Sequence, residues 1–191
     1  MNHEIVIITV PHTGTNYAKS LFRQRGWEDV AVTEQPREGK SCFYAGHMIK
    51  DTQVMPALEL AKTRPLVIPL RHPYRVELSW DRRGKDKKEM FQAFDNLLKH
   101  FDPLNPFYIP VDEPKQRRIA VQEISDSLGI ALQDTGEIVN SKAHTYDVPF
   151  DDITPSPEVI ELANTMQPIL RKYYGTERPK TNGSTRHTGS H

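Results

Sequence analysis

The chain has 191 residues, enough for one domain with a buried core. Its 25 Lys and Arg residues balance 25 Asp and Glu residues, so the formal net charge is zero. A neutral chain has no global field that would draw it to nucleic acid or to an anionic membrane, and any anion binding must be local. The single cysteine, Cys42, excludes an intrachain disulfide and is typical of the cytoplasm, which is the predicted location. The sequence contains no recognisable signal peptide or membrane-spanning segment.

Strands and helices are predicted to alternate along the chain. Apolar, β-branched or aromatic runs predict strands at residues 4–10, 42–45, 65–70 and 107–111. Helical periodicity predicts helices at residues 15–25, 52–63, 73–83, 87–100, 114–128 and 158–173. Residues 27–41 have little periodicity and are predicted to be mostly loop. The alternation predicts an α/β fold with three layers, α/β/α, around a central parallel sheet.

The chain is predicted to hold a single domain over residues 1–175. Residues 176–191 are rich in Gly, Ser, Thr and His and contain no large apolar side chain. Such a segment cannot contribute to a core, so a disordered tail is predicted there. Its end, residues 183–191, is typical of a remnant of recombinant expression.

The loop after the first predicted strand has the composition of an anion-binding site. Residues 11–16 enter a helix N-terminus, which offers unpaired backbone N–H groups and the positive end of the helix dipole. Gly14 allows the backbone to approach an anion closely. Thr13, Thr15 and Asn16 add side-chain hydrogen-bonding groups. A glycine that only makes the turn is the alternative that this segment leaves open.

A second candidate for anion binding follows the strand at residues 65–70. Arg71 lies just before a predicted helix that has Pro73 in its first turn, and Ser79 lies near the second turn. Both side chains can face a phosphate held over that turn. An arginine fork suits a phosphate because its hydrogen bonds are bidentate and charge-assisted. A surface arginine and a helix hydroxyl without a ligand remain the alternative.

Together the two elements resemble those of sulfotransferases that use 3′-phosphoadenosine 5′-phosphosulfate. Pro11–Tyr17 is similar to the family's 5′-phosphosulfate loop P-K-x-G-T-T-W, with His12 in place of its lysine and Asn16 in place of its second threonine. The segment from Arg71 to Ser79 is similar to the family's 3′-phosphate element R-x-P-x-x-x-x-x-S. The resemblance implies a P-loop NTPase-like fold of the sulfotransferase type. The family's C-terminal R-K-G-x-x-G element is absent.

The resemblance also implies an enzymatic activity: transfer of a sulfuryl group from 3′-phosphoadenosine 5′-phosphosulfate to an acceptor hydroxyl or amine, without a metal. The residues implied in binding the donor are Pro11, His12, Thr13, Gly14, Thr15, Asn16, Arg71 and Ser79. His47 follows a short strand, as the family's histidine base does, and would take the acceptor's proton. His12 would donate to the bridging oxygen as the leaving phosphate gains charge. Taken alone, a histidine placed like His47 is more often structural or merely exposed.

Two other functions stay open at this point. A P-loop small-molecule kinase would need a Walker lysine, and Lys19-Ser20 lacks the preceding glycine. A non-catalytic nucleotide-binding protein with a decayed site fits the replacement of the family's lysine by His12. The expected partners are a small-molecule or glycan acceptor and no nucleic acid or membrane, with the chain a monomer or a homodimer. The acceptor itself is not specified by the sequence.

Overall fold

A parallel sheet organises the chain. The computed structural model describes residues 3–36, 38–134, 136 and 148–175. The strands are β1 Glu4–Thr9, β2 Glu28–Ala31, β3 Cys42–His47, β4 Leu66–Leu70 and β5 Phe107–Pro110, in the spatial order β2-β3-β1-β4-β5. The tail predicted at residues 176–191 lies outside the described residues and stays a prediction.

Helices cover both faces of this sheet. They are α1 Thr15–Arg23, α2 Asp51–Ala61, α3 Pro73–Asp81, α4 Lys87–Asn96, α5 Pro114–Leu128, α6 Pro157–Thr165 and α7 Gln167–Tyr174. On one face Val6 and Ile8 belong to a core shared with α2, α3, α4, α6 and α7. On the other face Ile5 and Ile7 pack with α1 and α5. The predicted three-layer α/β/α fold with a parallel sheet is therefore confirmed. None of the helices in the described segments has the length and apolarity needed to cross a bilayer.

The prediction that residues 27–41 are mostly loop is wrong for β2. Glu28–Ala31 forms a strand that pairs in parallel with β3 alone, at the edge of the sheet. Only Val30 of its residues is buried. An edge strand this short, with two acidic residues, has no apolar run or clear alternation by which a sequence pattern could identify it.

The single helix predicted at residues 158–173 is two helices. α6 ends at Thr165, and α7 begins directly after Met166. Pro168 lies in the first turn of α7, where its missing N–H is not needed. The apolar periodicity continues across the break because both helices pack on the same face of the sheet, so it did not reveal the junction.

Pro69 lies inside β4, which is a central strand. The ladder between β1 and β4 pairs Val6 with Leu66 and Ile7 with Val67 and does not extend further. Pro69 pairs only with Ile109 of β5. A proline lacks the N–H that a second ladder would need, so it sits where β4 has already separated from β1.

The N-terminus of α1 lies close to the end of β5. Gly14 caps α1 with φ of 101°, a left-handed conformation that L side chains rarely adopt. A Cβ atom at this position would lie 2.7 Å from a methyl group of Val111. Both the backbone conformation and the space therefore require glycine here, whether or not a ligand binds.

We predict that Gly14→Ala destabilises the fold more than Gly129→Ala. Gly129 caps α5 with φ of 63°, and no other atom lies within 4 Å of the point that its Cβ would occupy, so its substitution adds only backbone strain of about 1–2 kcal/mol. Gly14→Ala adds the overlap with Val111 as well. Chemical denaturation measures both free energies of unfolding. Adding Val111→Ala to Gly14→Ala should recover part of the loss, and equal losses for the two glycine variants would contradict this account.

Candidate anion-binding site

The loop between β1 and α1 is held in a tight, unusual backbone conformation. His12 and Gly14 both have positive φ, 69° and 101°. The Thr13 hydroxyl donates to the Val10 carbonyl at 2.6 Å, and the Thr13 N–H donates to the same oxygen at 3.3 Å. Successive amides around left-handed residues form a concave surface that suits an anion. The sequence-predicted loop is therefore ordered by its own backbone and by one buried threonine.

The N-terminus of α1 presents donors to this loop. Gly14, its N-cap, provides no side-chain hydrogen bond, so the first-turn amides of α1 have neither a helical carbonyl nor a cap from that residue. Asn16 is exposed and Thr15 is half-buried. Thr13, by contrast, is buried and its hydroxyl is directed to the Val10 carbonyl, so its side chain shapes the loop and does not face a ligand. The amides of residues 14–17 and the side chains of Thr15 and Asn16 are the donors available to an anion.

His47 lies close to this loop. Parallel pairing of β1 and β3 sets Thr9 opposite His47 in the register. The Thr9 hydroxyl lies 2.8 Å from Nδ1 of His47 and 2.9 Å from the Thr15 hydroxyl. The backbone N–H of His47 donates to the Gln53 side chain at 2.7 Å. One buried threonine thus connects the predicted base to the first residue of α1.

Arg71 directly follows β4, the other neighbour of β1. Its Nη1 atom donates to the His12 carbonyl at 3.5 Å, and its Nε atom lies 3.7 Å from Oδ2 of Asp112. Arg71 and Ser79 are both buried. The structure therefore brings the second predicted element against the first. The Arg71 guanidinium faces the loop carbonyl and a carboxylate, so phosphate binding by Arg71 and Ser79 stays a prediction.

Asp112 is a site residue whose partners the sequence did not reveal. It follows β5 and lies 3.4 Å from Nε of Arg75, and the Tyr174 hydroxyl donates to its other oxygen. The Tyr174 hydroxyl oxygen also lies 3.3 Å from the Leu70 carbonyl, which can share the same hydrogen. Burial raises the pKa of Asp112, while Arg71, Tyr174 and Arg75 act in the opposite direction. The position of Asp112 after a predicted strand was a usable signal, but no local pattern connects it to Tyr174.

Trp80 joins α3 to the loop. Its indole N–H donates to the Pro11 carbonyl at 3.5 Å, and its ring meets the His12 ring edge-on with centroids 5.2 Å apart. Trp80 is completely buried. The aromatic residue after Ser79 therefore has a structural role in holding the conformation of residues 11 and 12.

Cationic groups surround His12. Burial lowers its pKa to about 4, and the charges of Arg83, Lys85 and Arg71, together with that of His47 when it is protonated, contribute in the same direction. Burial of part of the His47 ring lowers its pKa too, followed by the effect of Lys19 and Lys85. Both imidazoles are neutral at pH 7. Among the described residues the charges that shift His12 are all positive, so the loop has a local positive potential although the chain as a whole is neutral.

Comparisons with known proteins add a likeness at the level of structure. No protein-family model matches the sequence, and no curated protein matches it. Among solved structures, the chain is similar to the crystal structure of mouse sulfotransferase SULT7A1 complexed with PAP, with 12% identity, a TM-score of 0.49, and coverage of 92% of this chain and 85% of that chain. At this identity and score the function has to be inferred from the chain's own residues. In its described part, the chain has no cluster of three His, Cys, Asp or Glu side chains that could hold a metal.

We predict that His12 titrates near pH 4 in the free protein. Its imidazole NMR signals, assigned with the variant His12→Gln, should have a midpoint at about 4. Sulfate should raise the midpoint, because an anion in the loop stabilises the imidazolium form. A midpoint at or above the ordinary histidine value of about 6.5 without any added anion would contradict the cationic surroundings described above.

Proposed function

We propose that the chain is a sulfotransferase that takes its sulfuryl group from 3′-phosphoadenosine 5′-phosphosulfate and transfers it to an acceptor hydroxyl or amine. One observation carries the proposal. The carboxyl ends of β1, β3 and β4 bring together three kinds of group. They are the N-terminus of α1, which has no side-chain cap, His47, which Thr9 positions, and several cations. These are the groups that an in-line transfer of an anionic group needs.

The strand order supports the location of the donor. From β1 the chain passes through α1 to β2 on one side of the sheet, and from β4 it passes through α3 and α4 to β5 on the other. Ligands of open parallel sheets bind in the crevice at such a change of direction. The loop at residues 10–14 and the residues after β4 border this crevice. In our proposal the phosphosulfate lies against the first turn of α1, where the residues present suit it.

The 3′-phosphate is assigned to Arg71 and Ser79 by the sequence resemblance. The contact of Arg71 with the His12 carbonyl supports this assignment because it puts the guanidinium beside the loop. The Asp112 carboxylate faces Nε of the same guanidinium. A phosphate at this position would therefore compete with the His12 carbonyl for the guanidinium donors, and Asp112 would keep the group oriented.

His47 is the proposed general base. Thr9 has one hydroxyl hydrogen, and the Gly46 carbonyl at 3.5 Å and the Thr15 hydroxyl are alternative acceptors for it. If Thr9 donates to one of these, its oxygen accepts from Nδ1–H of His47, and Nε2 is left without a proton. A neutral imidazole with an exposed Nε2 can then take the proton of the acceptor hydroxyl. Neutral His12 can donate an N–H hydrogen bond to the bridging oxygen.

Transfer from ATP by a kinase is less well supported. Lys19, the residue that would have to act as a Walker lysine, lies inside α1 and forms an ion pair with Asp29 at 3.3 Å. That carboxylate belongs to β2, at the far edge of the sheet from β4. The Lys19 ammonium is therefore directed along the outside of α1 and not into the loop at residues 11–16.

We predict that the chain binds 3′-phosphoadenosine 5′-phosphate (PAP) more tightly than 5′-AMP or Mg·ATP. In calorimetry, Ser79→Ala should weaken PAP binding about tenfold and leave AMP binding unchanged, because only PAP has the 3′-phosphate. Ser125→Ala, another buried helix serine, is the matched control and should affect neither ligand. Absence of PAP binding, or tighter binding of Mg·ATP, would remove the sulfotransferase proposal.

We also predict that His47→Ala lowers kcat about a hundredfold or more without changing the Kd of PAP, since a general base acts only in the transfer step. Turnover is measured with labelled donor and the best acceptor from a panel of phenols, amines and glycans. For the wild type, kcat/KM should rise with pH through a midpoint below 6.5. His47→Ala should not show this rise. The exposed His100 provides the control variant His100→Ala. A wild type that binds PAP but modifies no acceptor would indicate a decayed site.

A further inference from the structure

The turn after α3 brings Lys85 back towards the loop at residues 11–16. α3 ends at Asp81, and Gly84 adopts a left-handed conformation with φ of 59°. The Lys85 N–H then donates to the Trp80 carbonyl at 3.2 Å. The chain therefore folds back over the last turn of α3, and Lys85 lies against the residue that holds the loop.

The indole of Trp80 contacts both Lys85 and the loop at residues 11–16. The Lys85 ammonium lies 5.6 Å from the centroid of the Trp80 ring. The same ring meets His12 edge-on at 5.2 Å, and its N–H donates to the Pro11 carbonyl. Trp80 is buried and Lys85 is exposed, so the lysine covers the indole from the solvent side. Lys85 and the His12 side chain of the loop therefore contact the same indole ring.

The carboxylates near this turn have other partners. Glu77 and Asp81 both form ion pairs with Lys87, at 2.7 Å and 3.0 Å. The Asp86 side chain caps α4 by accepting the Lys88 N–H at 2.9 Å. In the described segments no carboxylate lies within ion-pair distance of Lys85. A lysine ammonium beside an anion-binding loop and without a carboxylate partner is suited to an anionic ligand.

We propose that Lys85 binds the phosphosulfate oxygens of the ligand at the loop of residues 11–16 and supplies a permanent positive charge there. This inference rests on the proposed function for the identity of the ligand, but it concerns the anion and not the adenosine. The Lys85 ammonium donates hydrogen bonds to the anion and keeps its proton. Among the neighbouring cations, Lys85 acts electrostatically on both His12 and His47, which fits a position between the donor and the acceptor.

The test compares Lys85→Met, Lys85→Arg and Lys88→Met with the wild type. Methionine keeps an unbranched apolar stem over Trp80 and removes the charge. Lys88 is an exposed lysine in the first turn of α4, so Lys88→Met is the matched control. Binding of inorganic pyrophosphate and of PAP is measured by calorimetry at low and high NaCl, and thermal unfolding confirms that the variants are folded.

We expect Lys85→Met to weaken the binding of both ligands about tenfold or more, and Lys85→Arg to stay within about threefold of the wild type. Lys88→Met should bind like the wild type. The loss of affinity in Lys85→Met, relative to the wild type, should be smaller at high NaCl because salt screens an exposed charge. Equal affinities for Lys85→Met and Lys88→Met would overturn the inference and leave the sulfotransferase proposal standing.

The two proposals can fail separately. If the wild type binds pyrophosphate but not PAP, the sulfotransferase proposal fails, and the comparison of the lysine variants with pyrophosphate still decides the role of Lys85. If the wild type binds neither ligand, both proposals are overturned. If it binds both, the ratio of affinities between Lys85→Met and Lys88→Met decides whether Lys85 belongs to the site.

Discussion

The position of β1 between β3 and β4 is the constraint on which the candidate site depends. Because all three strands are parallel, their carboxyl ends meet at one edge of the sheet. The register between β1 and β3 sets Thr9 opposite His47, and the loop after β1 lies against Arg71 from β4. Another strand order would leave each loop intact but would separate the groups that we propose act together on one ligand.

The buried carboxylate of Asp112 connects several elements at this edge of the sheet. Asp112 lies between Arg71 and Arg75 and accepts a hydrogen bond from Tyr174. This carboxylate therefore joins the ends of β4 and β5 to α7. Removing a carboxylate from such a place leaves buried cations without compensation, which is far more costly than the pair itself is stabilising. The cluster therefore connects the C-terminal helix of the described chain to the Arg71 guanidinium and, through Arg71, to the loop carbonyl of His12.

Local charge distinguishes the site from the rest of a neutral protein. Arg83, Lys85 and Arg71 lower the pKa of His12, in addition to the larger effect of burial. The same cations attract an anion, and an anion in turn favours the protonated form of His12. We therefore expect anion binding at this loop to be coupled to proton uptake at His12. In the proposed site the charge of His12 would depend on the ligand, while Lys85 would remain positively charged.

Much of the fold, and the positions of several candidate site residues, were predictable because their signals are local. Hydrophobic periodicity identified β1, β4 and most helices, and Gly14 marked a turn that only glycine can make beside Val111. The short polar edge strand β2 carried no such signal. The contacts of Tyr174 with Asp112, and of Lys85 with Trp80 at the loop, depend on the path of the chain between distant elements. The sequence by itself indicated most of the strands and helices and a candidate anion-binding loop; the packing of the layers decided which side chains meet, because contacts between distant elements are set by strand order and not by local periodicity.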